Sequence, residues 1–137
     1  MNTSSSKPQV SIGMPVYNTD EKFLYTALDC LLKQSYSNFE LIISDDCSTD
    51  STSRICREYA KKDSRINYIR QEKNMGALPN FNFVLEQAKS KYFMWAEVDD
   101  KWKPDFIEKN VSILESNPKF VGSISEVSWY GKNVIRG

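Results

Sequence analysis

The sequence predicts an α/β protein with a mostly parallel, doubly wound sheet. Short apolar runs of strand length alternate with longer segments whose apolar residues recur at helical spacing. The connections between them are short and rich in Pro, Asn, Gly and Asp, which are typical turn residues. Parallel strands joined by helices all end at one edge of the sheet, so we expect a ligand site at that edge.

The first half of the chain predicts a strand, a helix and a second strand. Residues 10–14 (VSIGM) form an apolar run that stops at Pro15, which cannot donate to a central ladder. Residues 39–44 (FELIIS) are a compact run rich in β-branched residues and predict the second strand. Between them, residues 23–34 predict an amphipathic helix. Its predicted inner stripe is Phe23, Ala27, Leu28, Leu31 and Leu32.

The next segment predicts a capped helix and a third strand. The acidic, hydroxyl-rich DDCSTDST supplies N-caps for a helix over residues 53–61, with Ile55, Cys56 and Tyr59 on its inner face. Residues 66–70 (INYIR) alternate as a strand does.

The remaining elements continue the alternation. After a turn at residues 74–76, Pro79 is suited to be the first residue of a helix. Residues 92–96 predict a fourth strand, residues 104–115 a further helix, and residues 121–129 the start of another strand.

Composition excludes several classes of protein. Lys plus Arg equals Asp plus Glu at 18 each, so no overall field recruits nucleic acid. Three cysteines without CxxC spacing, in a chain without histidine, predict free thiols in a reducing compartment rather than a zinc site. The sequence contains neither an apolar run of about 18 residues nor a signal peptide, which predicts a cytoplasmic protein without a membrane span. We expect residues 1–8 to be a disordered polar tail and residues 9–137 one domain.

Three polar loops are expected to converge at the carboxyl edge of the sheet. They are PVYN after the first strand, DDCSTD after the second and VDD after the fourth. Helix capping explains some of the hydroxyl and acidic residues in the second loop, but it does not readily use both Asp45 and Asp46. Adjacent Asp99 and Asp100 repel each other unless a cation or hydrogen-bond donors intervene. An all-oxygen site of this kind suits Mg²⁺ or Mn²⁺ together with substrate phosphates.

Four segments, in this order and spacing, resemble one large enzyme family: VSIGMPVYN, FELIISDDCSTDST, KNMGALPNFN and YFMWAEVDDKWKPDF. They resemble the nucleotide-sugar-binding N-terminal half of the inverting GT-A glycosyltransferases of family 2. The resemblance implies a GT-A-like, three-layer α/β/α fold that stops before the acceptor half. It also implies a hexosyltransferase-like role in cell-envelope polysaccharide biosynthesis.

By the same resemblance, the nucleotide lies along the ends of the strands. Tyr17 is placed to stack on the base, and Asp46 to accept from a base N–H. Asp99 and Asp100 stand where the family has its D-x-D motif, on the ribose and on the Mn²⁺ or Mg²⁺ of the diphosphate. The implied nucleotide-binding set is Pro15, Val16, Tyr17, Asn18, Asp45, Asp46, Ser48, Gly76 and Asp99, and the implied metal ligands are Asp99 and Asp100.

The implied donor is a nucleotide-diphospho-sugar, with a UDP-sugar favoured over GDP- and dTDP-sugars. The implied acceptor is a saccharide or a lipid-linked molecule, with peripheral association of the complete enzyme at the inner face of the membrane.

The sequence departs from the family pattern in three places. Glu97 stands where the motif has its first aspartate, and Leu78-Pro79 stand where the turn after Gly76 often carries an arginine, a cation that Lys73 or Arg70 would have to replace. Family members continue into an acceptor-binding half that carries the general base. We therefore expect the base beyond Gly137, and donor binding without efficient transfer by this chain alone.

Three other classes of protein share part of this pattern. A non-catalytic nucleotide-binding or interaction module would share all of these residues. A phosphoacceptor receiver domain would have its acid pair after the first strand, where this chain has PVYN. A dinucleotide-binding domain would carry G-x-G-x-x-G after that strand, and this chain does not.

Overall fold

The computed structural model describes residues 7–126, in which strands and helices alternate. The strands are β1 (Val10–Val16), β2 (Phe39–Asp45), β3 (Ile66–Arg70) and β4 (Tyr92–Trp95). The helices are α1 (Glu21–Leu32), α2 (Thr52–Lys62), α3 (Ala77–Gln87) and α4 (Phe106–Ser116). The strands form one parallel sheet in the order β3-β2-β1-β4. The predicted fold class is confirmed.

The strand order places helices on both faces of the sheet. The chain moves outward from β1 to β3 and then returns across the sheet to place β4 beside β1. A right-handed crossover that reverses direction passes over the opposite face. The main core accordingly packs α1, α2 and α4 on one face, whereas α3 packs on β1, β2 and β4 from the other. The reversal makes the carboxyl end of β1 the switch point where ligands bind in such sheets.

Gly13 allows α3 to approach β1 closely. A Cβ atom at this position would lie 2.7 Å from Cγ2 of Val84 and 2.8 Å from Cζ of Phe93. Val84 is fully buried, and its β-branched side chain has little rotamer freedom. The absence of a side chain at Gly13 therefore sets the distance between α3 and the sheet.

Replacing Gly13 by alanine should destabilise the protein by about 1–3 kcal/mol, because the added methyl overpacks a site that cannot easily relax. Urea denaturation monitored by circular dichroism measures this change as a lower midpoint. Gly122→Ala is the control, since no atom lies within 4 Å of a Cβ at that position. Equal midpoints for the two variants would contradict the packing argument.

Strand β1 extends two residues further than the sequence predicted. Pro15 is inside it, in register with Ser44 of β2. Strand β4 pairs with β1 only as far as Gly13, whose carbonyl oxygen accepts from the amide of Ala96 at 2.9 Å. Pro15 therefore lies beyond the end of β4, where its missing N–H removes no ladder hydrogen bond.

Two predictions about helix residues were wrong in detail. Phe23 was placed on the inner face of α1, but it is 50% exposed and Leu24 is buried in its place. Leu24 continues the helical spacing of Ala27, Leu28 and Leu31 equally well, and these four residues are the buried ones of α1. Pro79 was expected to open α3, which instead begins at Ala77 after Gly76. Pro79 still falls in the first turn, where no intrahelical acceptor awaits an N–H.

The fifth strand predicted from residue 121 is wrong for the residues that the structure describes. Residues 121–126 have no regular secondary structure, and residues 127–129 lie outside the described range. Val121 and Ile124 are almost fully exposed. An extended apolar segment becomes a strand only when another strand accepts its backbone hydrogen bonds, and none of the described strands does so here.

Candidate functional site

Hydrogen bonds hold the loop after β1 against the loop after β2. The amide of Asp46 donates to the carbonyl of Val16 at 2.9 Å, and the amide of Asn18 donates to Oγ of Ser48 at 3.0 Å. Oδ1 of Asn18 accepts from the amide of Thr49 at 2.8 Å. Asn18 has a φ of 42°, a left-handed conformation that asparagine tolerates better than most residues. The two predicted loops therefore form one structural unit.

Asp45 supports this unit from inside the protein. Its side chain is fully buried, and Oδ1 accepts from the amide of Ser48 at 2.9 Å. Oδ2 accepts from the hydroxyl of Tyr68 at 2.7 Å and from the hydroxyl of Ser53. Burial opposes ionisation, but the hydrogen bonds from Ser48, Ser53 and Tyr68 outweigh it and hold the pKa of Asp45 below its usual value. This carboxylate is committed to the loop rather than to the open cleft.

Asp46 joins the second motif to the third. It is 2% exposed, and its two oxygens accept from successive backbone amides, Oδ1 from Met75 at 2.7 Å and Oδ2 from Gly76 at 2.9 Å. Gly76 has a φ of 90°, which strongly favours glycine. A carboxylate oxygen has two lone-pair sites, so each oxygen can still accept from a ligand. Asp46 therefore fixes the turn before α3 and keeps acceptor capacity.

A cleft of about 340 Å³ lies between these loops and the first turn of α3. Tyr17 is half exposed beside it. Asn18, Asp45 and Ser48 of the predicted nucleotide-binding set are not among its lining residues. The cleft is lined by Pro15, Val16, Tyr17, Asp46, Asn74, Gly76, Ala77, Asn80 and Phe81.

Four lining residues were absent from the predicted set: Asn74, Ala77, Asn80 and Phe81. Asn80 is 2% exposed and donates from Nδ2 to the carbonyl of Ser44 at 3.0 Å, which attaches α3 to β2. Ala77, Asn80 and Phe81 lie three and four residues apart, so they share one helix face. Helical spacing counted from Gly76 could have identified them.

The acid pair lies in the loop after β4. Asp99, Asp100 and Glu97 are all exposed, and none of them lines the cleft. Partial burial, and after it the charge of Asp99, raises the pKa of Asp100 above its usual value. Within residues 7–126 there is no group of three or more metal-ligating side chains. The pair still fits Mg²⁺ or Mn²⁺, because these ions often take only one or two carboxylates and complete their shell with water and phosphate oxygens.

Arg70 does not replace the arginine missing from the turn after Gly76. Its Nη2 donates to the carbonyl of Ser48 at 2.9 Å and its Nε to Oγ of Ser53 at 3.3 Å, so its guanidinium serves the β2 loop. Lys73 is exposed within the turn segment, and its suggested role as the substitute cation stays a prediction.

The three cysteines are free, as the sequence predicted. Cys56 is buried in the core, and burial raises the pKa of its thiol to about 12. Within residues 7–126, none of the helices combines the length and apolarity needed to cross a bilayer.

The fold defines the class of protein, an α/β domain of the GT-A glycosyltransferase type. Residues 1–349 of S. aureus TarS, solved in complex with UDP-GlcNAc, superpose with a TM-score of 0.72 at 28% identity, covering 79% of this chain and 31% of that one. The mannosyltransferase PcManGT from Pyrobaculum calidifontis, solved with GDP-Man and Mn²⁺, superposes with a TM-score of 0.70 at 23% identity. This superposition covers 80% of this chain and 33% of PcManGT. At that identity, the likeness supports the fold alone.

The chain belongs to glycosyl transferase family 2, whose family model matches residues 11–136. It is 40% identical over 108 residues to the putative teichuronic acid biosynthesis glycosyltransferase TuaG of Bacillus subtilis, covering 79% of this chain. It is 39% identical over 114 residues to the putative glycosyltransferase EpsE of the same organism, covering 82% of this chain. The matched part spans 42% of the first relative and 41% of the second, less than half the length of either.

Proposed function

We propose that this chain binds a nucleotide-diphospho-sugar as the donor-binding part of an inverting glycosyltransferase. The observation that carries the proposal is Asp46, a nearly buried carboxylate at the cleft whose oxygens order the turn before α3 and retain acceptor capacity. A UDP-sugar is favoured, because S. aureus TarS, at 28% identity, holds UDP-GlcNAc.

The nucleoside end of the donor would enter the cleft. Tyr17 is half exposed there and offers an aromatic face on which a base can stack. Asp46 would accept from a base N–H, and such a charge-assisted hydrogen bond is stronger than a neutral one. Pro15, Val16 and Phe81 supply apolar contact area around the base.

The diphosphate end would lie toward the loop after β4, which leaves the sheet at the same edge as the cleft. Asp99 and Asp100 would hold Mn²⁺ or Mg²⁺ there, with Asp99 also on the ribose. The bound cation would neutralise the negative charge that grows on the leaving nucleoside diphosphate. Partial burial, and after it the charge of Asp99, raises the pKa of Asp100, and a bound cation would offset the charge of Asp99.

The transfer step requires a further group. In an inverting displacement, the acceptor hydroxyl attacks C1 of the sugar while a base takes its proton, and that base must lie within hydrogen-bond reach of the hydroxyl. Asp99 and Asp100 are committed to the metal and the ribose in this proposal. We therefore assign the base to a part of the complete enzyme outside residues 7–126. We expect the present chain alone to bind donor without efficient transfer.

The acceptor would be a saccharide or a lipid-linked saccharide of a cell-envelope polysaccharide, in keeping with the name of TuaG. Such a reaction would place the enzyme in the cytoplasm or at the inner face of the membrane.

Calorimetry with UDP, GDP and dTDP, each with and without Mn²⁺, tests the proposal. We expect UDP to bind with the highest affinity and Mn²⁺ to strengthen binding, because two carboxylates and a diphosphate repel one another without a bridging cation. Lack of binding of all three nucleotides would refute the site. Binding of equal strength with and without Mn²⁺ would refute the metal. A transfer assay with the complete enzyme distinguishes a glycosyltransferase from a non-catalytic binding module.

A further inference from the structure

Two side chains of β3 contact the nucleotide-site loops without lining the cleft. Tyr68 and Arg70 are two residues apart and therefore point to the same face of the sheet. Tyr68 donates from its hydroxyl to Oδ2 of Asp45 at 2.7 Å. Arg70 donates from Nη2 to the carbonyl of Ser48 at 2.9 Å and lies 3.9 Å from Oδ2 of Asp45. Neither belongs to the family motifs recognised in the sequence, and neither lines the cleft.

These contacts continue through Ser48 to the loop after β1. The backbone amide of Ser48 donates to Asp45, and its carbonyl accepts from Arg70, so both of its backbone polar groups are fixed from β3 and the end of β2. Its Oγ accepts from the amide of Asn18 at 3.0 Å. Asn18 directly follows Tyr17, whose ring flanks the cleft.

The loop also contains a conformation that needs support. Cys47, between Asp46 and Ser48, has a φ of 64°, a left-handed conformation that residues other than glycine rarely adopt. Such a conformation persists when the surrounding hydrogen bonds over-determine it. The residues on both sides of Cys47 are fixed, Asp46 by the turn before α3 and Ser48 by the contacts described above.

We propose that Tyr68 and Arg70 are positioning residues of the nucleoside site, which act through Asp45 and Ser48 to fix Asn18, Tyr17 and Asp46. The inference rests on the proposed function, because it assigns a task to residues outside the cleft in forming that same site. It predicts that the two side chains affect recognition of the base but not the response to metal, since Asp99 and Asp100 lie on the loop after β4.

Tyr68→Phe tests this inference, with Tyr59→Phe as a matched control. Tyr59 also donates to a carboxylate, Oδ1 of Asp29, at 2.8 Å, but it lies on α2 outside the cleft. Burial, with a hydrogen-bonded aspartate adding to it, raises the pKa of both phenols to about 12, so each variant loses one comparable donor. The binding of UMP by calorimetry and the melting temperature are measured for both variants and for the wild type.

We expect Tyr68→Phe to weaken UMP binding by about fivefold or more, as the loss of a hydrogen bond to a charged group would. The UMP affinity of Tyr59→Phe should stay within about twofold of that of the wild type, although its melting temperature should fall about as much as that of Tyr68→Phe. The ratio of UDP affinities with and without Mn²⁺ should be unchanged in Tyr68→Phe. A purely structural role would lower the melting temperature and leave the affinity of the folded protein for UMP unaltered.

A second pair keeps the inference testable if Tyr68→Phe does not fold. Arg70→Lys retains the charge but loses the planar fork that reaches both Ser48 and Ser53. Arg65→Lys is its control, because Arg65 also donates to a backbone carbonyl, that of Leu32, at 3.0 Å and pairs with a carboxylate. Weaker UMP binding for Arg70→Lys alone supports the inference. Equal UMP affinities within each pair would overturn it while leaving the proposed function intact, whereas a wild type that binds no nucleotide would overturn both.

Discussion

Replacing Asp46 by asparagine should remove most of the affinity of the chain for a nucleoside. The carboxylate accepts from two adjacent backbone amides, Met75 and Gly76, and is expected to accept from the base as well. Asparagine offers one acceptor and one donor in the same space, so its NH₂ group would face an N–H that needs an acceptor. The loss should be roughly 3 kcal/mol, or about a hundredfold in the dissociation constant for UMP measured by calorimetry.

The same substitution should weaken the binding of UMP and of UDP by similar factors, because the lost contact is remote from the phosphates. Asp50→Asn in the same loop is the control. Oδ1 of Asp50 accepts from the amide of Thr52 at 2.9 Å, and asparagine can make that bond equally well. UMP binding by Asp46→Asn within about twofold of the wild type would show that the base is not recognised at this carboxylate.

Replacing Asp100 by asparagine should act on the diphosphate end alone. The substitution keeps the shape of the side chain and removes the charge that would hold the metal, so binding of UDP with Mn²⁺ should fall by about tenfold to a hundredfold. Uridine should bind as it does to the wild type. Comparing UDP in the presence and absence of Mn²⁺ by calorimetry measures the difference.

Asp105→Asn serves as the control for this charge change. Asp105 is paired with Lys109 at the start of α4 and lies outside the acid pair. Its replacement should leave UDP binding unchanged in both conditions. If Asp100→Asn weakened the binding of uridine and the binding of UDP with Mn²⁺ to the same extent, the division of roles between Asp46 and Asp100 would be wrong.

The sequence predicted the elements of the sheet well because each strand has a local signature. Residues 66–70 alternate, residues 39–44 are a compact apolar run that contains β-branched Ile42 and Ile43, and both became strands with nearly the predicted bounds. The exposed ring of Phe23 was predicted wrongly because two overlapping stripes of α1 both satisfy helical spacing, and only the packing on the sheet decides between them. The strand predicted from Val121 depended on a pairing partner, which local pattern does not report.

The candidate site was predictable as a place but not in its internal contacts. Strand topology alone indicated that the ends of β1, β2 and β4 would share one edge. It did not indicate that Asp45 and Asp46, adjacent in sequence, would take different partners. Asp45 faces Tyr68 and Ser53 inside the protein, whereas Asp46 faces the turn before α3. The different partners of Asp45 and Asp46 depend on side chains and backbone groups of other elements. Neither spacing nor composition predicts which of these groups come within hydrogen-bond distance.

The position of β1 in the sheet has a consequence for how the chain folds. Strand β1 lies between β2 and β4, and its partner residues in β4 come much later in the sequence, with Val10 opposite Tyr92. None of the three strand pairs is a local hairpin, because each is parallel and requires a crossover. One edge of β1 therefore stays open during synthesis until Tyr92–Trp95 has emerged, and the closure entropy of that long loop must be overcome before the pairing is formed. We expect the chain to fold slowly for its size and to be most prone to aggregation while this edge is open.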